Sequence, residues 1–196
     1  MQRAPWPIGS KKHERANMKI FHVTEVLGKY FDWSLIPDQL LAEACTRGNV
    51  VHITCGAYAL GAHLTKIQNP AYRGFIESFI RWFDNNVAEV VAVEQAFTNF
   101  ALGYTGRLDF LFRLNSGELA LVDIKTPAAL SKTWRCQLAA YNALLTNAKV
   151  TADAIMSLRL KANGGPALGN RFEGNILQDY NVFLSALNAH RALIGA

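Results

Sequence analysis

Two carboxylates and one amine lie close together near the middle of the chain. Asp109 ends the segment 106–109 (GRLD), while Asp123 and Lys125 lie in the segment 121–126 (LVDIKT). Carboxylate oxygens are the ligands that Mg²⁺ and Mn²⁺ prefer, and an ammonium group can stabilise charge that develops on a phosphate. These residue types therefore indicate metal-assisted hydrolysis of a phosphodiester.

The segments that carry these residues are predicted to form a β-hairpin. Residues 108–114 and 118–124 are rich in Leu, Phe, Val and Ile, and residues 115–117 (NSG) form a turn signal between them. A three-residue loop of this kind fixes the register of the two strands, with residue 114 facing residue 118.

That register predicts which side chains meet. It places Asp109 opposite Asp123 and Arg107 opposite Lys125, and alternation along a strand puts Asp123 and Lys125 on one face. Opposed carboxylates repel each other, and a divalent cation would reverse the sign of that interaction. The alternative is a solvated hairpin in which Lys125 simply pairs with one of the carboxylates.

A helix is predicted directly after the hairpin. Residues 131–147 carry apolar side chains at spacings of three and four, with Ser131 as a candidate N-cap. Gln137 and Tyr141 are four residues apart and so lie on one face of this helix. The position of this polar pair after the hairpin suggests that it belongs to the same site.

In this order and at these separations, GRLD, DIKT and QxxxY resemble the PD-(D/E)XK nuclease superfamily, in particular its RecB-like and lambda-exonuclease-like branch. Residues 47–52 (RGNVVH) resemble an early helix of that family, and residues 93–94 (VE) lie where its first core strand often carries a glutamate. The opening 22–27 (HVTEVL) is similar to starts seen in phage members. The resemblance implies a restriction-endonuclease-like core.

The resemblance also implies a ligand set. His52, Asp109 and Asp123 would bind Mg²⁺ or Mn²⁺, with the backbone carbonyl of Ile124 as a further ligand. Glu94 would serve a second or transient ion near the leaving oxygen.

The remaining catalytic roles follow from the same resemblance. Lys125 would position or deprotonate the attacking water, and Gln137 and Tyr141 would orient the lysine, the water or a DNA phosphate. A free lysine has a pKa of about 10.4, so a general base would need a strongly lowered pKa, whereas an electrostatic role would not. The electrostatic role is therefore favoured.

The implied activity is that of a metal-dependent deoxyribonuclease, an exonuclease in phage or bacterial DNA recombination or repair. A structure-specific endonuclease and a catalytically silent DNA-binding protein on the same fold remain alternatives. An enzyme that uses Lys125 as a Schiff-base nucleophile is disfavoured, because adjacent carboxylates would hold the lysine protonated. DNA is the expected partner, with a recombination or annealing protein as a further possibility and the oligomeric state open.

Several basic residues are candidate DNA contacts. The formal net charge is +5, of which residues 1–17 contribute +3, so the basic pI belongs mainly to a predicted disordered tail. That tail could be a DNA-contacting arm or an incidental extension, and Met18 could begin the folded unit. The candidate DNA-binding residues are Arg47, Arg107, Lys132, Arg135 and Lys161, although scattered charges often form only a solvated face.

The pattern of elements predicts one α/β domain over residues 18–196, with a mixed sheet of four or more strands flanked by helices. Predicted helices cover 37–64 (with a break near 47–48), 72–83 and 176–193. Strands are predicted at 90–97 and 152–160. The aromatic stripe at Phe75, Phe79, Trp82 and Phe83 is read as core.

The cysteine pattern and the hydropathy of the chain argue against an iron–sulfur protein and against a membrane protein. Three cysteines without a C-x-x-C pair cannot supply the four ligands of an iron–sulfur cluster, so none is expected. Unpatterned cysteines favour a reducing compartment. No apolar run approaches the roughly 20 residues that span a bilayer, so a soluble cytoplasmic protein without membrane contact is expected.

Overall fold

The computed structural model describes residues 19–30, 36–64, 69–127 and 130–194. The predicted tail at residues 1–17 and the candidate start at Met18 lie outside these ranges. The elements in chain order are β1 (Phe21–His22), α1 (Val23–Gly28), α2 (Asp38–Ala59), α3 (Pro70–Asn86), β2 (Val87–Asn99), β3 (Tyr104–Leu114), β4 (Leu119–Lys125), α4 (Thr133–Asn147), β5 (Ala154–Arg159), β6 (Leu168–Arg171) and α5 (Ile176–Ile194).

Six strands form one mixed sheet. Strands β2, β3 and β4 make an antiparallel meander, β5 runs parallel to β4, and β6 is antiparallel to β5. The short β1 pairs in parallel with the start of β3. The predicted α/β fold, with a mixed sheet flanked by helices, is confirmed.

The predicted hairpin register is confirmed over most of its length. The pairs run from Phe110↔Val122 to Arg113↔Leu119. Pairing between β3 and β4 then stops, while β4 continues beside β5 up to Lys125↔Arg159. The two strands therefore separate one position before the candidate carboxylates, and a backbone gap opens between them.

Strict alternation along β4 divides the apolar side chains between two cores. Ala120, Val122 and Ile124 pack toward α2 and α3, and Leu119 and Leu121 pack toward α1, α4 and α5. Full burial of one such apolar side chain contributes about 1.5–3 kcal/mol. The two cores hold β4 from both faces and so fix the direction of its polar side chains.

The aromatic stripe of α3 belongs to the core, as predicted. Phe79 is fully buried and stacks on Phe110 with ring centroids 5.3 Å apart, and Phe83 contacts Phe112 edge-on at 5.5 Å. These rings attach α3 to the face of the sheet that α2 also covers.

Some predicted boundaries were wrong. Helix α2 continues through Arg47 and Gly48 without the expected break. A glycine inside a helix costs only about 1 kcal/mol, which tertiary packing easily outweighs. Ser131 does not cap α4, which begins at Thr133 after Lys132, although its hydroxyl accepts the Thr133 N–H at 3.3 Å.

Strands β1 and β6 were not predicted. The four residues of β6 are a leucine, a glycine, an asparagine and an arginine, which lack the apolar alternation of a half-buried strand. Their pairing depends on the neighbouring β5.

None of the helices in the described residues combines the length and the hydropathy that a membrane-spanning segment needs.

Candidate metal centre

A histidine and two carboxylates meet where β3 leaves β4. His52 projects from α2, with its Nδ1 atom 3.3 Å from Asp109 Oδ1 and 3.9 Å from Glu94 Oε1. One ligand atom from each of the three residues lies within 4.8 Å of the other two. Two ligands of one ion at about 2.0–2.4 Å can be no more than twice that distance apart, so the three atoms could bind a single cation.

The carboxylate of Glu94 reaches the cluster through an irregular backbone. The flanking pairs Val93↔Phe110 and Gln95↔Leu108 put Glu94 directly across from Asp109 on the neighbouring strand. Glu94 has a φ of +49°, in the left-handed region that non-glycine residues rarely adopt. Strain of this kind, about 1–3 kcal/mol, persists where surrounding structure imposes it and is frequent at functional sites.

Asp109 spans the gap between the separated strands. Its Oδ2 atom accepts the N–H of Ile124 at 2.8 Å, while its Oδ1 atom faces His52. Burial by itself raises the pKa of Asp109, but the neighbouring His52, Lys125 and the Ile124 N–H together lower it below its usual range. The residue is thus a buried, ionised carboxylate, and the Ile124 segment that supplies the predicted carbonyl ligand lies beside it.

The second group of polar residues lies on the α4 side of β4. Asp123 and Lys125 share that face, as predicted, with Oδ2 and Nζ 2.6 Å apart. Gln137 connects them, since its Oε1 accepts from Lys125 Nζ at 3.0 Å and its Nε2 donates to Asp123 Oδ1 at 3.1 Å. The same Nε2 lies 3.1 Å from the hydroxyl of Tyr141.

Gly106 makes room for this network. A Cβ atom at this position would lie 2.5 Å from the ring of Tyr141, closer than real atoms approach. The glycine of GRLD therefore allows α4 to pack against β3 where the sheet is open, and Tyr141 itself is buried. Burial raises the pKa of Tyr141 far above its normal range, so its hydroxyl stays neutral.

The two buried aspartates and the histidine influence one another electrostatically. Burial raises the pKa of Asp123, and the charge of Asp109 adds to the effect while Lys125 opposes it. Burial lowers the pKa of His52, but the Asp109 carboxylate more than compensates, so the net shift is upward. A cation placed here would compete with protons for these groups, as metal sites of this kind do.

The donor set suits a hard divalent cation. The set comprises the carboxylates of Glu94 and Asp109 and the imidazole of His52, and Asp123 lies on the adjacent strand β4. Asp123 Oδ2 is buried and has no hydrogen bond of normal geometry, despite its closeness to Lys125 Nζ. Mg²⁺ and Mn²⁺ accept such oxygen ligands together with water.

The compact group of possible ligands in the structure is not the same set of three residues as the predicted one. The compact group contains Glu94, which was expected to serve a second ion, together with His52 and Asp109. Asp123 is held instead by Lys125 and Gln137.

Arg107 does not face Lys125 as the hairpin register predicted. Its Nε atom lies 3.0 Å from Glu94 Oε2 on the other neighbouring strand, and its side chain is 69% exposed. The reason is that β3 keeps its pairing with β2 after it has parted from β4.

The other candidate DNA contacts lie in different surroundings. Arg47 is near the site, with Nε 3.5 Å from the Thr126 hydroxyl and its guanidinium 5.6 Å from the ring centre of Phe75. Lys132 is exposed at the start of α4. Arg135 is bound to Asp179 of α5, at 2.8 Å and 3.0 Å, which leaves it less suited to a phosphate.

Lys161 begins a loop that packs on α3. Its backbone N–H donates to Ser78 at 3.1 Å, and a Cβ atom on Gly74 would lie 1.7 Å from the carbonyl oxygen of Ala162. This close packing holds the loop against α3.

Two neighbours of the site were not singled out from the sequence. The ring of Trp134 lies 5.9 Å from Lys125 Nζ, and Thr126 contacts Arg47. Trp134 has the spacing of a core residue on α4, so its sequence position alone gave no sign of a contact with the lysine.

Comparison with known proteins gives no family. No protein-family model and no curated protein sequence matches the chain. Among solved structures, it is similar to the crystal structure of SSO0001, with a TM-score of 0.48 and 15% sequence identity over 94% of this chain and 80% of that chain.

Proposed function

We propose that this protein is a Mg²⁺- or Mn²⁺-dependent deoxyribonuclease. The observation that carries the proposal is the closeness of two complementary groups at the parting of β3 and β4. One group, His52, Glu94 and Asp109, could bind a divalent cation, and the other supplies a half-buried lysine held by Gln137. The resemblance of GRLD, DIKT and QxxxY to PD-(D/E)XK nucleases supports the same activity.

In this mechanism water attacks phosphorus and the bond to the leaving oxygen breaks in line with the attack. The proton of the water passes to solvent, and the leaving alkoxide takes a proton from solvent. The bound cation would polarise the phosphate and the attacking water. Lys125 stabilises the negative charge on the phosphate oxygens, with Nζ oriented by Gln137 Oε1. Phosphoryl transfer depends mainly on such positioning and charge stabilisation.

The environment of Lys125 supports an electrostatic role over a covalent one. A buried carboxylate, Asp123, lies 2.6 Å from its Nζ atom. A Schiff-base lysine needs a neutral amine, which nearby cations or an apolar pocket favour and an adjacent carboxylate disfavours. These surroundings therefore suit an electrostatic role.

Exposed basic groups near the centre suit a polyanionic substrate. Arg107 lies at the mouth of the cluster and Lys132 is exposed beyond the end of β4. Arg47 is close to Thr126, directly after the catalytic strand. We propose linear DNA ends as the substrate and recombination or repair as the role, with the cytoplasm as the compartment, since Cys45, Cys55 and Cys136 are all unpaired.

The test uses end-labelled linear DNA and circular DNA with Mg²⁺, with Mn²⁺ and with EDTA. Wild-type protein is compared with Asp109→Asn and Lys125→Ala. Asp84→Asn is the matched control. This exposed carboxylate accepts a hydrogen bond from the Tyr58 hydroxyl at 2.8 Å and lies outside the cluster.

Metal-dependent loss of linear DNA that only the two site variants abolish would support an exonuclease. Cutting of circular DNA would favour an endonuclease at the same site. Binding of DNA without cleavage under every condition would reject the enzyme and favour a DNA-binding protein.

A further inference from the structure

A row of buried polar side chains continues from the candidate site across the sheet. Among the described residues, three buried side-chain atoms have no hydrogen bond of normal geometry, namely Asp123 Oδ2, Ser157 Oγ and Asn170 Nδ2, although Lys125 Nζ lies 2.6 Å from the first of them. A buried polar group left unpaired costs about 1–3 kcal/mol, and native structures contain few of them.

The three atoms belong to directly neighbouring positions. Asp123 on β4 pairs with Ser157 on β5, and Ser157 pairs with Asn170 on β6. Partners in a sheet register project from the same face, so the three side chains form one line. Asp123 and Ser157 are almost completely buried, at 1% and 0% exposure.

Their chemistry is complementary. The Asn170 amide nitrogen is a donor, the Ser157 hydroxyl both donates and accepts, and the Asp123 carboxylate oxygen accepts. Directly paired side chains in a sheet have Cβ atoms about 4.5–5.5 Å apart, so rotation of these short side chains could let Asn170 donate to Ser157 and Ser157 donate to Asp123 Oδ2.

We propose that Ser157 and Asn170 are positioning residues that hold Asp123 in place when Lys125 turns to the phosphate. This inference rests on the proposed nuclease function. Lys125 Nζ lies 2.6 Å from Asp123 Oδ2 and 3.0 Å from Gln137 Oε1, so a phosphate that draws this ammonium group toward itself would weaken its contact with Asp123. In this proposal the Ser157 hydroxyl donates to Asp123 Oδ2 beside Lys125 in the resting protein and remains its donor when Lys125 turns to the phosphate, while Asn170 orients that hydroxyl.

The first test needs no activity. Ser157→Ala is made in the wild-type and in an Asp123→Ala background, and the melting temperature of each protein is measured. Loss of one hydrogen bond of about 1 kcal/mol should lower the melting temperature by about 2–4 °C for a chain of this size. The shift should appear in the wild-type background and largely vanish without Asp123, because the partner is then absent.

A second cycle covers the case in which Asp123→Ala does not fold. Ser157→Ala and Asn170→Ala should each lower the melting temperature, and the double variant should lower it by less than the sum of the two. Thr98→Val is the control, since it removes a half-buried hydroxyl that bonds Thr105 at 2.9 Å on the far side of the sheet. Its effect should be additive with Ser157→Ala, and additivity throughout both cycles would overturn the proposal.

The second test uses DNA cleavage. Ser157→Ala should lower kcat about tenfold with little change in KM, and Ser157→Thr, which keeps the hydroxyl, should restore most of the rate. Unchanged kcat in Ser157→Ala, or failure of Ser157→Thr to restore a lowered rate, would overturn the positioning role. If wild-type protein cleaves no DNA, the proposed function fails, whereas coupled melting shifts would still establish the hydrogen-bond chain.

Discussion

The two halves of the candidate site solve the problem of buried charge in different ways. In the α4 half, formed by Asp123, Lys125 and Gln137, the carboxylate lies beside the Lys125 ammonium group, and Gln137 bonds to both. In the α2 half, Asp109 and Glu94 share the His52 imidazole, which is charged only when protonated, and Glu94 also contacts the exposed Arg107. In the first half the carboxylate already has an opposite charge beside it, whereas the second half gains most from an added cation. From this difference we expect that metal binding and charge stabilisation can be disrupted separately.

The largest expected effect is the loss of the shared carboxylate. Asp109→Asn should lower cleavage by about a thousandfold or more, equivalent to about 4 kcal/mol of activation free energy. It should also remove the rise in melting temperature that Mn²⁺ gives to wild-type protein, because Asp109 is central to the ligand cluster. Retained stabilisation by Mn²⁺ would show that the cation binds elsewhere.

Lys125→Ala tests the α4 half, where we expect cleavage to be lost without loss of metal binding. Removal of one preorganised charge-stabilising group typically lowers kcat by about a hundredfold to a thousandfold. Stabilisation by Mn²⁺ should persist, since the α2-side ligands are intact. Loss of metal binding in this variant would mean that the two halves act as one unit. Rate and metal-dependent melting are measured on the same preparations.

The α2 half should respond to pH. The pKa of His52 is raised above its usual range, chiefly because the Asp109 carboxylate outweighs the effect of burial. A proton and a cation compete for the imidazole, so Mn²⁺ affinity should rise with pH up to and through this raised pKa, by up to about tenfold per unit. Calorimetric titration from pH 6 to 8 measures the slope. His52→Asn should flatten it, and an unchanged slope would exclude the histidine as a ligand.

Gly106→Ala tests the packing that joins the α4 half to β3. The added Cβ would meet the Tyr141 ring at 2.5 Å, so α4 must shift. Overpacking of this kind costs about 1–3 kcal/mol of unfolding free energy. Chemical denaturation measures the loss, and Gly48→Ala is the control because a Cβ there meets nothing within 4 Å. Cleavage should fall while Mn²⁺ binding changes little.

The smallest expected effect lies outside both halves. Hydrogen bonds from Arg171, supported by Ser116, lower the pKa of the exposed Glu118 to about 2. A carboxylate with a lowered pKa stabilises the fold above its unfolded pKa, and this contribution disappears as pH falls toward the folded value. Glu118→Gln should therefore lower stability slightly at pH 7 and not at pH 2, with cleavage unchanged. Melting curves at both pH values measure this, and a change in cleavage would link this surface pair to the site.

Local patterns predicted much of the α4 half. The turn at residues 115–117 set the hairpin register, so the shared face of Asp123 and Lys125 followed from the alternation of strand residues. Helical spacing put Gln137 and Tyr141 on one face in the same way. These are short-range relations between residues that a single element or one tight turn connects, which is why the sequence was sufficient.

The α2 half depended on long-range packing. Helix α2 brings His52 to a strand more than forty residues away, and the left-handed φ of Glu94 turns its carboxylate toward Asp109. The parting of β3 from β4 redirected Arg107 to Glu94. None of these features has a local signature, because backbone irregularities and strand separation arise from the packing of both cores.

By itself, the sequence determined the chemical inventory, the hairpin register and the order of the main elements, since residue type, alternation and turn chemistry act over a few residues. Only the tertiary structure decided which carboxylates share the histidine and which one the lysine holds. It also brought Ser157 and Asn170 into line with Asp123, through pairing with strands far along the chain. Such pairings depend on the burial of two whole faces of the sheet, and that burial is a property of the complete fold.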